Sequence, residues 1–230
     1  MTDEGAALVP ALTEAFDRVG ALMDVLADGR IREVITLGVV STFATGFLLP
    51  RLRNFVFEHP EIDLRILTNN NKPEFVGEGL DCAIRFGDGA WHGMHATPIM
   101  EAPLTVMCAP SLGAALKTPA DLIMQSLLRS YRSDEWSAWF AAARLESPKL
   151  TGPVLDSSLA IAHAVMGGAG IGLLPPAMFK REISEERLVI PFDISVTKGR
   201  YWLTHFHTRP ETQGMLALRT WLVGEAASLT

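Results

Sequence analysis

From residue 30 onward the sequence switches repeatedly between two hydrophobic periods, and that alternation limits the fold more than any other feature. Residues 34–40 form a β-branched apolar run, as a buried parallel strand requires. After a polar turn, Leu48, Leu49, Leu52, Phe55 and Val56 recur at helical spacing. His59-Pro60 stops that helix, because a residue before proline is pushed out of the helical region. Residues 63–68 and 82–86 read as the next strands. A second block opens near Ala102 with a strand over 104–109. Thr118 then caps a short helix at Pro119. A strand over 127–131 precedes a helix through Trp136, Trp139 and Phe140. Asp156-Ser157-Ser158 opens another helix, followed by a strand over 171–175. The runs 188–190 and 201–204 come next, and Met215, Leu216, Leu218, Trp221 and Leu222 form a final helix. Two βα blocks of about 100 residues, each with its own small sheet, fit this count. Ahead of them, Leu8, Leu12, Ala15, Val19, Leu22 and Leu26 give residues 2–28 the stripe of one long amphipathic helix. That stripe is narrow, as for pairing with a helix of another copy.

Composition narrows the function classes. Of 230 residues, 48% are hydrophobic and 20% charged, which is a core-forming chain and not a disordered one. A net charge of −6 argues against direct nucleic-acid binding, which leaves a basic footprint. Two cysteines make no disulfide framework, so a reducing compartment is expected. The acidic start lacks the positive region of a secretory signal, and the apolar runs fall short of the ~20 residues that span a bilayer. The expectation is a cytoplasmic protein with no membrane contact.

Two segments point to a ligand. Ser41-Thr42-Phe43-Ala44-Thr45-Gly46 follows the first strand, where open α/β sheets place their ligands. A helix start there offers unpaired N–H groups and the positive end of a dipole, which suits anions. Capping uses one hydroxyl, and this segment has three. Asp156-Ser157-Ser158 repeats the arrangement in the second block. Two such starts facing one cleft would clamp a polar, acidic small molecule. Arg85, in Arg85-Phe86-Gly87-Asp88-Gly89, supplies either ligand charge or a structural ion pair.

Enzyme signatures fail. Gly168-Ala169-Gly170-Ile171-Gly172 follows a helix and enters a strand, the reverse of a dinucleotide loop, so helix termination explains it. There is no Gly-x-Ser-x-Gly elbow and no Walker loop. His92 with His95, and His205 with His207, have no further ligands at metal spacing. Cys82 and Cys108 read as core residues. No catalytic residue, cofactor or metal is expected.

Several segments are distinctive together. They are 41–46, Glu78-Gly79-Leu80-Asp81, Ile84-Arg85-Phe86-Gly87, Gly89-Ala90-Trp91-His92, Leu128-Arg129-Ser130-Tyr131-Arg132, Asp134-Glu135-Trp136, Asp156-Ser157-Ser158, Tyr201-Trp202 and Arg209-Pro210-Glu211-Thr212. With the amphipathic helix after Thr2-Asp3-Glu4-Gly5, and with Gly170-Ile171-Gly172-Leu173-Leu174-Pro175, the chain resembles the LysR-type transcriptional regulators. Within them it is similar to the AmpR branch, regulators of chromosomal β-lactamase genes. The resemblance implies a type II periplasmic-binding-protein-like α/β fold of two Rossmann-like lobes with a cleft. It assigns 1–29 to a linker and dimerisation helix, 30–101 with 203–230 to the first lobe, and 102–202 to the second. It implies that the winged helix-turn-helix is absent and that these residues do not bind operator DNA alone. Implied partners are a muramyl peptide that activates or a UDP-muramyl pentapeptide that represses, a second copy in a dimer or tetramer, promoter DNA through the missing domain, and RNA polymerase. Thr42, Ser158 and Tyr201 carry over as ligand contacts by motif position. The full expected set adds Ser41, Phe43, Thr45, Thr68, Asn69, Arg85, Phe86, Gly87, Tyr131, Asp156 and Ser157. The chain departs from the family at Ser41, where relatives commonly have glycine, and at Asn71-Lys72-Pro73-Glu74; each change alters cleft size or charge. A LysR-type regulator answering to another small acid or amino acid, and a solute-binding protein of a transporter, are the alternatives.

Overall fold

The computed structural model describes residues 8, 9, 12, 32–69, 79–132 and 134–228. Strand β1 (Glu33–Val40) lies between β2 (Ile62–Asn69) and β3 (Cys82–Gly87), parallel to both. Ile35, Leu37 and Val39 on one face are fully buried, and Gly38 and Val40 on the other face are buried as well. That two-sided environment is what the β-branched run anticipates. Between β1 and β2 the expected polar turn is replaced by helix. The chain enters α1 (Ser41–Phe43) directly, widens into a π-helical stretch (Ala44–Leu48) and continues as α2 (Leu49–Glu58). Pro50 accounts for the widening. It has no N–H, and its ring would crowd the Gly46 carbonyl four residues back in a regular α-helix. The Leu49 N–H bonds instead to the Ala44 carbonyl, five residues back. The helix ends at Glu58, before His59-Pro60, as expected.

Strand β4 (Met94–Glu101) has no counterpart in the expected elements, because His95 and Pro98 interrupt any strand pattern. It is an edge strand, the position at which a sheet tolerates proline. The chain then crosses to a second sheet through β5 (Leu104–Met107). Next come α3 (Pro110–Gly113) and a 3-10 turn (Pro119–Met124), whose Asp121 carboxylate accepts the Thr118 N–H at 2.8 Å. Strand β6 (Arg129–Ser130) precedes α4 (Glu135–Ala142), and β7 (Val154–Leu155) leads into α5 (Ser158–Met166). Gly168 ends α5 in a left-handed conformation, φ +78°, so the glycine run is a helix stop as the sequence suggests. Strand β8 (Gly172–Leu174) follows, then a 3-10 turn (Pro176–Met178) and α6 (Lys180–Ser184). The 188–190 run contributes one antiparallel bridge, Val189 to Cys108. Strand β9 (Ser195–Val196) returns the chain through β10 (Arg200–Phe206) to α7 (Gln213–Ala227).

The sheets have the orders β2-β1-β3-β10-β4, β8-β5-β9 and β6-β7. The two crossings between the main sheets lie side by side, where Arg200 pairs with Glu101 at 2.5 Å. One core packs Trp136, Trp139 and Phe140 against β5, with both indole N–H groups donating to carbonyls, of Leu128 at 2.8 Å and Ile194 at 3.0 Å. The larger core is shared by both sheets. It joins Phe43, Phe47 and Leu48 to Ile161, Val165, Leu174 and Met178. Of the helix expected over 1–29, Leu8, Val9 and Leu12 are helical and exposed, and the remainder lies outside the described residues.

The contact between Ala44–Leu48 and the 176–178 turn leaves no room for a methyl group: a Cβ on Gly46 would stand 2.2 Å from the Met178 carbonyl oxygen. Gly46→Ala is expected to cost about 2 kcal/mol or more, roughly 4–8 °C in Tm. Thermal unfolding checks this, and an unchanged Tm would show that the two surfaces are not locked together.

Candidate functional site

Where α1 and α5 begin, the two lobes meet around a cavity of about 260 Å³. Val40 and Thr42 line one wall, with Ser41 at the start of a helical run that continues to Glu58. Ser157 and Ser158 line the opposite wall. Ser157 caps α5, its hydroxyl accepting the Ala160 N–H at 3.2 Å. The Ser158 hydroxyl is not consumed by that cap. Both helices therefore direct the positive ends of their dipoles toward one space.

Phe86 on β3 and Tyr201 on β10 form the floor, and the strands pair Tyr201 with Phe86 directly. Tyr201 is only 3% exposed, with Phe43 at 4.8 Å and Phe86 at 5.4 Å between ring centroids. Burial pushes its phenol above the ordinary value, so the hydroxyl remains a neutral donor well beyond neutral pH. The register shift between Tyr201 and Trp202 opposite β4 is a bulge next to the cavity, a usual device for aiming a side chain.

The loop before α4 closes the second side. The Ser130 hydroxyl donates to Glu135 at 2.6 Å, and the Arg132 guanidinium stands 3.8 Å from the other Glu135 oxygen. That guanidinium also lies 4.5 Å from the Phe86 ring centroid. Glu135 is 5% exposed, and burial raises its pKa against the opposing pull of Ser130 and Arg132. Lys198, at the crossing into β10, pairs with Asp134 beside it.

Of the expected ligand contacts, Ser41, Thr42, Phe86, Tyr131, Asp156, Ser157, Ser158 and Tyr201 line this cavity. The others lie elsewhere. Phe43 is buried beneath it against Tyr201. Thr45 and Thr68 are exposed, on the π-helical stretch and on β2. Arg85 precedes Phe86 on a strand, so it faces the opposite side of the sheet. There it meets the Met94 sulfur at 3.6 Å and the Trp91 ring at 5.2 Å, outside the lining of this cavity. The Gly87 carbonyl is taken by the Trp202 indole N–H at 3.0 Å. Asn69 pairs with Val40 through its backbone, and its side chain lies outside the described residues, as do 71–74. Sequence reasoning missed Val40, Leu104, Ser130, Arg132, Glu135 and Pro175. Ser130 and Arg132 flank Tyr131 in the motif already singled out, so the signal for them was present.

The histidine pairs meet where chain spacing gave no sign of it. Antiparallel pairing of β4 with β10 sets the His95 ring 5.0 Å from His205 and 4.0 Å from His207. Among the described residues, no three such donors stand close enough together to hold a metal ion. Cys82 and Cys108 are buried, and loss of solvation raises both thiols, Cys108 to about 11.

Residues 28–227 match the family model of the LysR substrate binding domain. The chain belongs to the LysR substrate-binding family. Within the family it is AmpR-like. It is 49% identical over 229 residues to the HTH-type transcriptional activator AmpR of Pseudomonas aeruginosa, covering 99% of this chain and 77% of that one. The X-ray structure of that protein's effector domain aligns with a TM-score of 0.84 at 50% identity, covering 86% of this chain and 97% of that domain. A carbapenem-hydrolyzing β-lactamase transcriptional activator of Serratia marcescens is 44% identical over 232 residues, covering 100% of this chain and 80% of its own. A Citrobacter freundii effector binding domain with three substitutions, threonine to valine, serine to alanine and tyrosine to phenylalanine, aligns with a TM-score of 0.82 at 39% identity, covering 85% of this chain and all of that one. These LysR-family likenesses bear out the two-lobed, periplasmic-binding-protein-like fold.

Glu135 gives this LysR-type cavity a pH signature. A carboxyl group whose pKa is raised by folding is bound to its proton more firmly in the folded chain. Ionising it as pH rises past the unfolded value of about 4.3 therefore costs stability. Glu135→Gln removes that term, so its stability relative to wild type should be most favourable at neutral pH and fall as the pH drops toward about 4.3, where it levels off. Urea unfolding of both proteins from pH 4 to 8 measures this. A difference independent of pH would mean that Glu135 ionises without penalty.

Proposed function

We propose that this chain is the effector-sensing portion of a LysR-type regulator of β-lactamase expression. Its cleft takes peptidoglycan-derived muramyl peptides as activating ligands and UDP-muramyl pentapeptide as the repressing one. The observation that carries this reading is the convergence of Thr42, Ser158 and the protonated Tyr201 on one cavity between two helix starts. Muramyl peptides present sugar hydroxyls, amides and carboxylates, which match donors and acceptors of this kind. The likeness to AmpR proteins supports the same assignment. Each of the three Citrobacter freundii substitutions deletes a hydroxyl, from a threonine, a serine and a tyrosine. The substituted serine and tyrosine there have the same separation along the chain as Ser158 and Tyr201.

In this reading residues 1–29 link to the DNA-binding portion, 30–101 with 203–230 form one lobe, and 102–202 form the other. The protein works in the cytoplasm as a dimer or tetramer, with RNA polymerase as a further partner. Contact with promoter DNA belongs to a helix-turn-helix portion, for which the AmpR relatives are named. Among the described residues no helix is long and apolar enough to cross a membrane. Ligand exchange changes how the lobes are held at the paired crossings near Glu101 and Arg200. It switches the regulator only if the two ligands differ in their affinity for the two arrangements.

Calorimetric titration of the purified chain with an anhydro-muramyl peptide and with UDP-muramyl pentapeptide tests the proposal. Both should bind at one site per chain. Thr42→Val and Ser158→Ala should each weaken binding about tenfold, the usual consequence of losing one hydrogen bond. Binding of a small acid or amino acid, with no response to either muramyl compound, would overturn the ligand assignment.

A further inference from the structure

Resting on that reading of the cleft, we infer that Arg132 is its carboxylate-recognising residue: a free carboxylate of the ligand docks on the Arg132 guanidinium, which Phe86 and Glu135 hold in place. A carboxylate taken out of water needs a cation or several N–H donors to offset its lost hydration. Among the described residues that line the cavity, Arg132 is the one cation, beside two acids, Glu135 and Asp156. An acidic ligand entering without Arg132 would meet a net negative wall.

The geometry leaves the guanidinium capable of this. Its Cζ lies over the Phe86 ring, 4.5 Å from the centroid. Phe86 is 9% exposed and braced by Tyr201, so the platform is rigid. Glu135 stands 3.8 Å from Nη1, close enough to attract the charge and beyond hydrogen-bond length. The other Glu135 oxygen is held by the Ser130 hydroxyl at 2.6 Å, and the Ser130 oxygen in turn accepts the Arg132 backbone N–H at 3.0 Å. Glu135 is thus fixed as a counter-charge without saturating the guanidinium, which has five N–H donors in all. The Arg132 side chain is 39% exposed and lines the cavity. A planar fork on an aromatic surface receives a carboxylate through two parallel bonds, which a lysine ammonium cannot do.

The cleft should therefore distinguish an acid from its amide, two ligands of nearly equal shape. The test is calorimetric titration with two matched pairs of probes: an anhydro-muramyl tetrapeptide and its fully amidated counterpart, and an N-acetylated dipeptide acid and its carboxamide. Wild type, Arg132→Gln and Arg132→Lys are compared, with circular dichroism and Tm establishing that each variant is folded. Wild type should bind the acids at least tenfold tighter than the amides. Arg132→Gln should bind both at the level of the amide, and Arg132→Lys should recover only part of the preference. A preference for acids that persists in Arg132→Gln, or wild type showing none, overturns the role of Arg132 while muramyl binding stands. A preference dependent on Arg132 for the dipeptide acid, with no muramyl binding, supports Arg132 and overturns the muramyl assignment. Failure of all four probes overturns both.

Discussion

The packing of Ser41–Phe43 on α5, and of the Ala44–Leu48 π-helical stretch on the 176–178 turn, is the contact on which the rest of the structure depends. It brings Phe43 and Phe47 from the first lobe against Ile161, Val165 and Met178 from the second, in one continuous core. Two helix starts that belong to different sheets are thereby held face to face. The hydroxyls at Ser41, Thr42 and Ser158 converge only because that apolar surface beneath them is closed. The adjacent crossings at Glu101 and Arg200 are the only other strand-level ties between the two main sheets among the described residues, and their ion pair is partly exposed. An exposed pair contributes little to stability, about 0–1 kcal/mol. The relative setting of the lobes is therefore governed chiefly by packing, and a ligand bridging the cleft acts directly beside it.

The cavity combines groups of opposite demands in a small volume. Burial makes the Tyr201 phenol still harder to ionise, and the ring is placed by contacts with Phe43 and Phe86. Glu135 is disfavoured as an anion by the same exclusion, yet Ser130 and Arg132 both favour its charge. These interactions run through a chain of three neighbours: Ser130 holds Glu135, Glu135 attracts Arg132, and Arg132 covers Phe86. A polar ligand entering such a site does not need to build its own environment, because the dipoles and the guanidinium are already set by the fold. The family likeness and the chemistry of these residues both support the proposed reading of a sensor for polar, acidic fragments.

Much of this was legible in the sequence, for identifiable reasons. The β-branched run at 34–40 and the His59-Pro60 stop are local signals, and β1 and α2 follow them. The Ser157 hydroxyl caps its helix, and at the 119–124 turn the Asp121 carboxylate accepts the Thr118 N–H, both at starts the sequence marks. Strand β4 was hidden because its stability comes from pairing with β10, which the residues 92–98 do not advertise. The polar turn expected at 41–46 is helical from Ser41, and the proline at position 50 leaves its mark several residues upstream only as the π-helical widening over Ala44–Leu48. In the cavity, hydroxyl-rich helix starts were visible, whereas Arg132 and Glu135 look like solvated charges until tertiary packing puts Phe86 beneath one and Ser130 beside the other. Arg85 illustrates the converse. It is charged and adjacent to a lining residue, but strand alternation turns it to the far side of the sheet.

The central claim is that one ligand engages both lobes at once, at the two helix starts and the Tyr201 floor between them. Amide chemical-shift mapping of the isotope-labelled chain during titration with an anhydro-muramyl peptide measures this most directly. Saturable shifts at Ser41 and Thr42, at Ser157 and Ser158, and at Tyr201, all with one dissociation constant, are the predicted result. Shifts confined to one lobe, or centred on the distal histidines His95, His205 and His207, would contradict it.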